Sequence, residues 1–294
     1  MRIVIGLSLL FSACGGGRVA VQGGGDQPLP DLLMPSDAMR PPRTDAGGCG
    51  ELSGCYTVYA HNDHVLYRLD LGKKLIVEVG PFKAPKVSGN EDSITDLAVA
   101  PDDTIYVISK TNLYTADKND GHVTLVSPIA ACGGYAVALT FTPDGNLYAG
   151  DHKGEFCKID LAAKPPAVTA IGMVGNGYGL AGDLVAVGDG TMYGTVYTVA
   201  DTTSEMNNTL VKIDPKTGAV TQMIGKTGFP RLFGIAFEEG QVFAFTGDGS
   251  GKVATIDPKT GVGTLYGTFM DPMTGKGISF AGAGVNAMVA PTIM

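Results

Sequence analysis

The chain has 294 residues, of which 44% are hydrophobic and 17% charged, with 43 glycines, 17 prolines and a formal charge of −8 at pH 7. Disordered chains carry more charge and fewer apolar residues, and the negative charge with its scattered Lys and Arg residues argues against a nucleic-acid partner. No apolar run reaches the roughly 18 residues of a membrane-spanning helix, so the composition favours a glycine-rich all-β protein.

The N-terminus has the pattern of an export signal. Arg2 precedes an apolar run, and small residues follow before Cys14. The pentapeptide Leu-Phe-Ser-Ala-Cys that ends there resembles a bacterial lipobox, with Phe11 where Leu is usual. The resemblance implies a signal peptide over residues 1–13, acylation of Cys14 with palmitate-type chains and, because Gly15 follows, transfer to the outer membrane of the cell envelope. An ordinary cleaved signal with an incidental cysteine is the alternative.

Residues 14–50 show no hydrophobic period. Gly-Gly-Gly occurs twice and five prolines follow, with few apolar residues between them. Such a composition buries too little surface to fold, so we expect a flexible tether behind the lipidated cysteine and a folded domain over residues 51–294.

Four further cysteines could form disulfides if the protein is exported to an oxidising compartment: Cys49, Cys55, Cys132 and Cys157. Proximity in sequence favours Cys49–Cys55, which leaves Cys132–Cys157 to link two parts of one blade. The alternative is that Cys157 is a free thiol inside a strand. Their spacing does not favour zinc, since no Cys-x-x-Cys or neighbouring His pair occurs.

An internal repeat fixes the architecture of the domain. Segment 66–70, Leu-Tyr-Arg-Leu-Asp, recurs in related form at 113–117, 156–160, 210–214 and 253–257, and the closing aspartates are 47, 43, 54 and 43 residues apart. A period in this range is typical of one four-stranded propeller blade.

Each repeat contains four short β-rich segments separated by turn residues. In the stretch 93–128 they cover 94–99, 104–108, 112–117 and 122–126, and the same order returns over 136–171, 183–224 and 232–268. The turns Asp214–Gly218 and Asp257–Gly261 both read Asp-Pro-Lys-Thr-Gly, which is typical of hairpins.

The two ends of the domain complement each other. Residues 277–283 have the pattern of a first strand, and residues 55–82 that of strands two to four. Joining them closes the ring and removes an exposed sheet edge. The prediction is a β-propeller of five four-stranded antiparallel blades, or six if the termini form separate blades. Either 55–60 or 285–290 could fill the second strand of the closing blade.

The repeat, with its Leu-Tyr-x-Ile-Asp-Pro-x-Thr-Gly hairpin, resembles the NHL-like and YVTN-like propeller repeats of secreted bacterial proteins over roughly residues 55–290. This resemblance implies a blade and not an activity. The chain has no Trp, which weakens a resemblance to quinoprotein dehydrogenase propellers and excludes WD-repeat proteins. Lactonase-like propellers, which hold a metal at the channel mouth, remain an alternative.

Superposing the blades by their turns places one residue of each first strand around the axis: Asp96, Ala138, Asp183, Gly234 and Ser279. The two carboxylates could face a channel that holds calcium, another divalent cation or a small ligand. They could instead accept backbone N–H bonds at the start of their strands. If the protein is a metal-dependent hydrolase, lactonase or lyase, then Glu91, Asp96 and Asp183 are the expected ligands.

Other polar clusters fall on predicted turns. We interpret His61–His64 and Asp151–His152 as solvated turns, with a metal site as the alternative, and Asp248–Gly251 as a glycine-rich hairpin tip and not a phosphate loop. The sequence contains no recognisable catalytic constellation. It therefore favours a monomeric, lipid-anchored binding or scaffold module that needs no cofactor and whose protein or small-molecule partner is unknown.

Overall fold

The computed structural model describes residues 58–129, 132–238 and 240–286. These residues form five four-stranded antiparallel sheets and one two-stranded hairpin. The prediction of a β-propeller with five blades is confirmed. The expected signal peptide, Cys14, the tether, Cys49 and Cys55 lie outside the described residues.

The strands follow the predicted segments closely. In chain order they are β1 (Val58–His61), β2 (Val65–Asp70), β3 (Leu75–Pro81), β4 (Lys86–Val87), β5 (Asn90–Glu91), β6 (Ile94–Val99), β7 (Ile105–Ser109), β8 (Asn112–Ala116), β9 (Val123–Pro128), β10 (Ala136–Phe141) and β11 (Leu147–Asp151). They continue with β12 (Glu155–Asp160), β13 (Ala167–Met173), β14 (Tyr178–Ala186), β15 (Met192–Thr198), a 3-10 turn (Thr202–Met206), β16 (Thr209–Ile213), β17 (Val220–Lys226), β18 (Leu232–Glu238), β19 (Gln241–Thr246), β20 (Lys252–Ile256), β21 (Gly263–Thr268) and β22 (Gly282–Gly284).

Within each blade the strands are hydrogen-bonded in chain order, except where the ring closes. Blade 2 is β6–β9, blade 3 is β10–β13, blade 4 is β14–β17 and blade 5 is β18–β21. First strands are almost wholly buried whereas fourth strands alternate between half-buried and exposed residues. The first strands are therefore innermost, and the fourth strands form the rim.

Blade 1 closes the ring with strands from both ends of the chain. The sheet order is β22-β1-β2-β3, and Tyr59, Ala60 and His61 pair with Gly284, Ala283 and Gly282. The expected joining of the ends is confirmed, and residues 58–61 fill the second strand. The innermost strand begins at Gly282, five residues after the expected start at residue 277.

The core lies between neighbouring blades. Leucine, isoleucine, valine and phenylalanine side chains from the first three strands of each blade pack against the next blade in four clusters. One disulfide joins Cys132, in the loop before β10, to Cys157 on β12. The expected link within one blade is confirmed, and Cys157 is not a free thiol.

The repeated hairpin turns have the predicted chemistry. Asp214 Oδ1 accepts a hydrogen bond from the Lys216 N–H at 2.9 Å, and Asp257 Oδ1 accepts one from Lys259 at 2.8 Å. The closing glycine of the first turn has φ 74°, the left-handed region that glycine adopts without strain. No helix among the residues that the structure describes is long and apolar enough to cross a membrane.

Candidate functional site: an axial pocket above two buried aspartates

The two predicted channel aspartates lie on the propeller axis and are completely buried. Asp96 is on β6 and Asp183 on β14, and neither side chain is accessible to solvent. Asp96 Oδ1 accepts the N–H of Leu97 at 2.8 Å, and Asp183 Oδ1 accepts the N–H of Leu184 at 2.6 Å. Each carboxyl therefore binds the backbone at the start of its own strand, as one of the two sequence interpretations expected.

The second oxygen of each aspartate reaches a neighbouring blade. Asp96 Oδ2 accepts the N–H of Leu139 in blade 3 at 2.6 Å. Asp183 Oδ2 accepts the N–H of Ile235 in blade 5 at 2.8 Å and that of Ala283 in blade 1 at 3.4 Å. The two carboxyls thus join the inner strands of all five blades to one another across the axis.

The two carboxyls also contact each other, which sets their charge. Burial raises the pKa of Asp96 well above 3.8, and the negative charge of Asp183 and a hydrogen bond to it raise this pKa further. Burial also raises the pKa of Asp183, although its backbone hydrogen bonds and the bond from Asp96 oppose the rise. Two close carboxylates cannot both ionise cheaply in a buried site. Burial and the negative charge of Asp183 therefore favour the protonated form of Asp96, which shares its proton with the Asp183 carboxylate.

The ring position of blade 1 is Gly282, and the expected Ser279 was wrong. Ser279 is exposed and its hydroxyl donates to the Gly247 carbonyl at 3.0 Å. A Cβ added at Gly282 would overlap Asp96 Oδ1 and His61 Nε2 and would lie 2.9 Å from Asp96 Cα. Only glycine fits at this point of the axis. The error arose because the Ala-Gly repeat of this strand carries no apolar alternation that would fix its register.

His61 is buried, which corrects the prediction that it lies on a solvated turn. It is the last residue of β1, it has no exposed surface, and its Nδ1 donates to the Asn62 carbonyl at 2.8 Å. Burial lowers its pKa to about 4, so the ring is neutral at pH 7. Its Nε2 has no hydrogen-bond partner among the described residues. Asp63 and His64, which follow, are exposed as expected.

Glu91 does not join the axial aspartates. It is an exposed residue of β5, and its Oε1 accepts the Ala84 N–H at 2.9 Å. The buried neighbour is Asp92, which accepts the hydroxyl of Tyr114 at 2.7 Å and the amide of Asn112 at 3.0 Å. Among the residues that the structure describes, no three His, Cys, Asp or Glu side chains are grouped so that they could hold a metal ion.

A cavity of about 270 Å³ lies on the axis directly above the aspartates. The residue that precedes each ring position lines its floor, and these residues are Thr95, Val137, Gly182, Phe233 and Ala281. In blades 2, 3 and 5 this residue is the unpaired residue of a β-bulge in the inner strand. Bulges turn side chains out of the regular sheet, and here they direct three of them into one pocket.

One wall of the pocket is polar and comes from blades 4 and 5. Glu205 and Asn208 follow β15, Arg231 precedes β18, and all three line the cavity. The Arg231 N–H donates to the Glu205 carbonyl at 2.9 Å, and the Leu232 N–H donates to Asn208 Oδ1 at 2.7 Å. These bonds hold the two connecting segments together as one surface.

Another part of the wall is aromatic. The rings of Tyr135 and His152 meet edge to face, 4.9 Å between centroids, and the Tyr197 hydroxyl donates to the His152 carbonyl at 2.8 Å. Burial raises the pKa of Tyr197, and the negative charges of Glu205 and Asp151 raise it further. All three aromatic residues line the cavity.

The expected solvated turn at Asp151–His152 was also wrong. Asp151 is buried, and its Oδ1 accepts the N–H groups of Lys153 and Glu155, both at 2.8 Å. His152 is half-buried against the pocket, and its Nδ1 has no hydrogen-bond partner among the described residues. The third segment, Asp248–Gly251, is a hairpin in which Asp248 accepts the Ser250 N–H at 3.0 Å.

Comparison with known proteins shows no family for this chain and only distant structural similarity. No family model matches this chain. No curated protein matches it. A solved structure of a nidogen/laminin complex is 12% identical with a TM-score of 0.49, covering 80% of this chain and 99% of that chain. A streptogramin B lyase structure is 15% identical with a TM-score of 0.42, over 76% and 68% of the two chains. An aldose sugar dehydrogenase from Streptomyces coelicolor, solved with PQQ, is 15% identical with a TM-score of 0.41, over 61% and 63%. Similarities this low carry no argument about function.

Proposed function

We propose that the protein is a binding module that holds a small organic molecule in the axial pocket, without catalytic turnover. The observation that carries the proposal is Asn208, which lines the pocket, is fully buried, and has an Nδ2 group with no hydrogen-bond partner among the described residues. A buried donor without an acceptor costs about 1–3 kcal/mol. A bound ligand that supplies the acceptor would recover that cost.

The shape of the pocket also supports a small ligand. Its volume of about 270 Å³ is slightly below the roughly 300–1,000 Å³ of typical ligand pockets, which suits a small ligand. The lining includes the apolar side chains of Val137, Leu180 and Phe233 together with a few polar groups. This combination is the usual composition of a small-molecule site, in which apolar surface supplies affinity and placed polar groups supply orientation.

The burial and backbone hydrogen bonds of the two axial carboxyls support binding over catalysis. Asp96 and Asp183 lie one residue beneath the floor, they are fully buried, and both oxygens of each hold backbone N–H groups. Their role in this proposal is to fix the inner strands that carry the floor. The alternative of a metal-dependent hydrolase, lactonase or lyase would need them to meet Glu91, which lies on the exposed hairpin instead. Turnover of esters or lactones that is lost in both Asp96→Ala and Asp183→Ala would contradict the proposal.

A fragment screen with a blocked variant tests the binding site. Full-length protein is screened by ligand-observed NMR, together with Ala181→Phe, which places a ring in the pocket, and Ala170→Phe as the matched control. Ala170 is an exposed residue of the outermost strand β13. We expect fragments that bind the wild type and Ala170→Phe but not Ala181→Phe. Hits that persist in Ala181→Phe would place binding elsewhere.

We further propose that the module is anchored by acyl chains on Cys14 in the bacterial cell envelope, in the outer membrane. The lipobox-like sequence supports the anchor, and the Cys132–Cys157 disulfide supports an oxidising compartment. Two or three acyl chains suffice for stable membrane attachment. Cys14→Ser should move the protein from the membrane fraction to the soluble fraction, and unchanged membrane association would contradict acylation.

A further inference from the structure

The orientation of the Asn208 amide is fixed by its neighbour. Its Oδ1 accepts the Leu232 N–H at 2.7 Å, so the oxygen faces that strand, and Nδ2 is left as the unpartnered donor of a residue that lines the cavity. Its backbone is held as firmly, because its N–H donates to the Phe229 carbonyl at 3.1 Å and its own carbonyl accepts the N–H and the hydroxyl of Thr227, both at 2.9 Å. The donor is therefore pre-organised, which lowers the cost of binding an acceptor there.

A positively charged residue lines the same cavity as this donor. Arg231 directly precedes Leu232, the residue that Asn208 binds, and its side chain is exposed at the pocket. Among the residues that the structure describes, Arg231 makes no ion pair with the nearby Glu205. Hydrogen bonds from a neutral amide and a guanidinium to one ionised acceptor are stronger than those to a neutral hydroxyl.

Two carboxylates in the cavity lining favour a singly charged anion over a doubly charged one. Asp63 and Glu205 line the same cavity, and their negative charge would repel a dianionic phosphate more strongly than a singly charged group. A carboxylate is planar and carries one charge, which suits one amide and one guanidinium. The aromatic wall of Tyr135, His152 and Tyr197 offers a surface on which an apolar or aromatic body can pack.

We propose that the ligand of the axial pocket is a small carboxylate-bearing molecule, bound with its carboxylate at Asn208 Nδ2 and the Arg231 guanidinium and its apolar body against the aromatic wall. This inference rests on the proposed binding function. It adds the chemical class of the ligand and the two residues that recognise it.

Four probes of similar size test whether the pocket prefers a carboxylate over a neutral amide, an amine or a sugar. Binding of phenylacetate, phenylacetamide, phenethylamine and D-glucose to the full-length protein is measured by ligand-observed NMR titration. We expect phenylacetate to bind about tenfold more tightly than phenylacetamide, which has the same shape without the charge. Arg231→Gln, a change at an exposed residue, should remove most of that preference.

Asn208→Asp provides the second variant. It keeps the oxygen that binds the Leu232 N–H and replaces the donor with a negative oxygen, so phenylacetate binding should be lost. Lys216→Gln, at an exposed lysine of a rim turn, is the matched control for the loss of one positive charge and should bind as the wild type does. Should Asn208→Asp fail to fold, Arg231→Gln still decides the question.

The outcomes distinguish this inference from the proposed function. Equal binding of phenylacetate and phenylacetamide, or binding of phenethylamine or glucose in preference to phenylacetate, would overturn the carboxylate class and leave the pocket as a ligand site. A preference for phenylacetate that is unchanged in Arg231→Gln would overturn the assignment of the recognising residues. Binding of none of the four probes would count against both proposals.

Discussion

The axial glycine of the closing strand offers the sharpest test of how the propeller is held together. In Gly282→Ala the added methyl group would overlap Asp96 Oδ1 and His61 Nε2 and would lie 2.9 Å from Asp96 Cα. The backbone cannot yield cheaply there, because Asp96 is bonded to Leu97 and to Leu139 in the next blade. The seam between β22 and β1 should therefore loosen.

The magnitude follows from two opposing effects. Replacing a glycine by alanine stabilises a protein by about 0.4–1 kcal/mol where the backbone and the space allow it, because the unfolded chain loses freedom. Inserting a methyl group into a packed core costs about 1–3 kcal/mol and occasionally more. The added methyl group would overlap or crowd three atoms, and one of them is a backbone atom. We therefore expect the free energy of unfolding to fall by about 2–3 kcal/mol. For a domain of this size that corresponds to a fall in Tm of about 5–10 °C.

Gly267→Ala is the matched control. Gly267 is also a strand residue, on β21, but the nearest atoms to an added Cβ are 3.8 and 3.9 Å away. We expect its stability in urea, followed by circular dichroism, to equal or slightly exceed that of the wild type. If Gly282→Ala unfolds at the same urea concentration as Gly267→Ala, the close packing at the axis is refuted.

Two further predictions concern the buried groups. Because the folded-state pKa of Asp96 is raised above 3.8, the contribution of Asp96 to the free energy of unfolding should be greatest below pH 3.8 and should be lost as the pH rises through the raised pKa, by up to about 1.4 kcal/mol per pH unit for one extra proton. Asp96→Asn should flatten this dependence in urea titrations between pH 5 and 8, since its amide cannot titrate; an unchanged slope would contradict the shared proton. Reducing the Cys132–Cys157 bond, which closes a loop of 25 residues, should lower stability by about 3.5 kcal/mol, measured by urea unfolding with and without reductant. A Cys157→Ser variant that is equally stable in both conditions and matches the oxidised wild type would count against that bond.

The sequence predicted the blades well because each one repeats the same local signals. The Asp-Pro-Lys-Thr-Gly turns place β16 and β20 before them and β17 and β21 after them, and the structure has these strands within about two residues of the predicted ends. Two inner strands are exceptions: β22 begins at Gly282 and not at residue 277, and β14 begins at Tyr178 and not at residue 183. Its first half contains glycines and a register shift between Leu180 and Leu184, which hide the alternation.

The pocket could be predicted only in part. The aspartates were visible because they hold equivalent positions in two repeats, Asp96 and Asp183. Asn208 and Arg231 were missed because they lie in connecting segments that differ between blades and meet only in three dimensions. The sequence could have indicated that His152 lies near the axial pocket. The turn between the second and third strands of a blade lies at the same end of the propeller as the start of each inner strand. The place of His152 in the pocket depends on contact with Tyr135, which no local pattern encodes.

The central claim is that the axial pocket is a ligand site anchored at Asn208. A crystal structure of the full-length protein soaked with phenylacetate tests it most directly. We predict a carboxylate oxygen about 3 Å from Asn208 Nδ2 and the phenyl ring against the Tyr135 and Tyr197 side of the cavity. Phenylacetate bound only outside the cavity, or an Asn208 amide already bonded to another group of the protein, would contradict it.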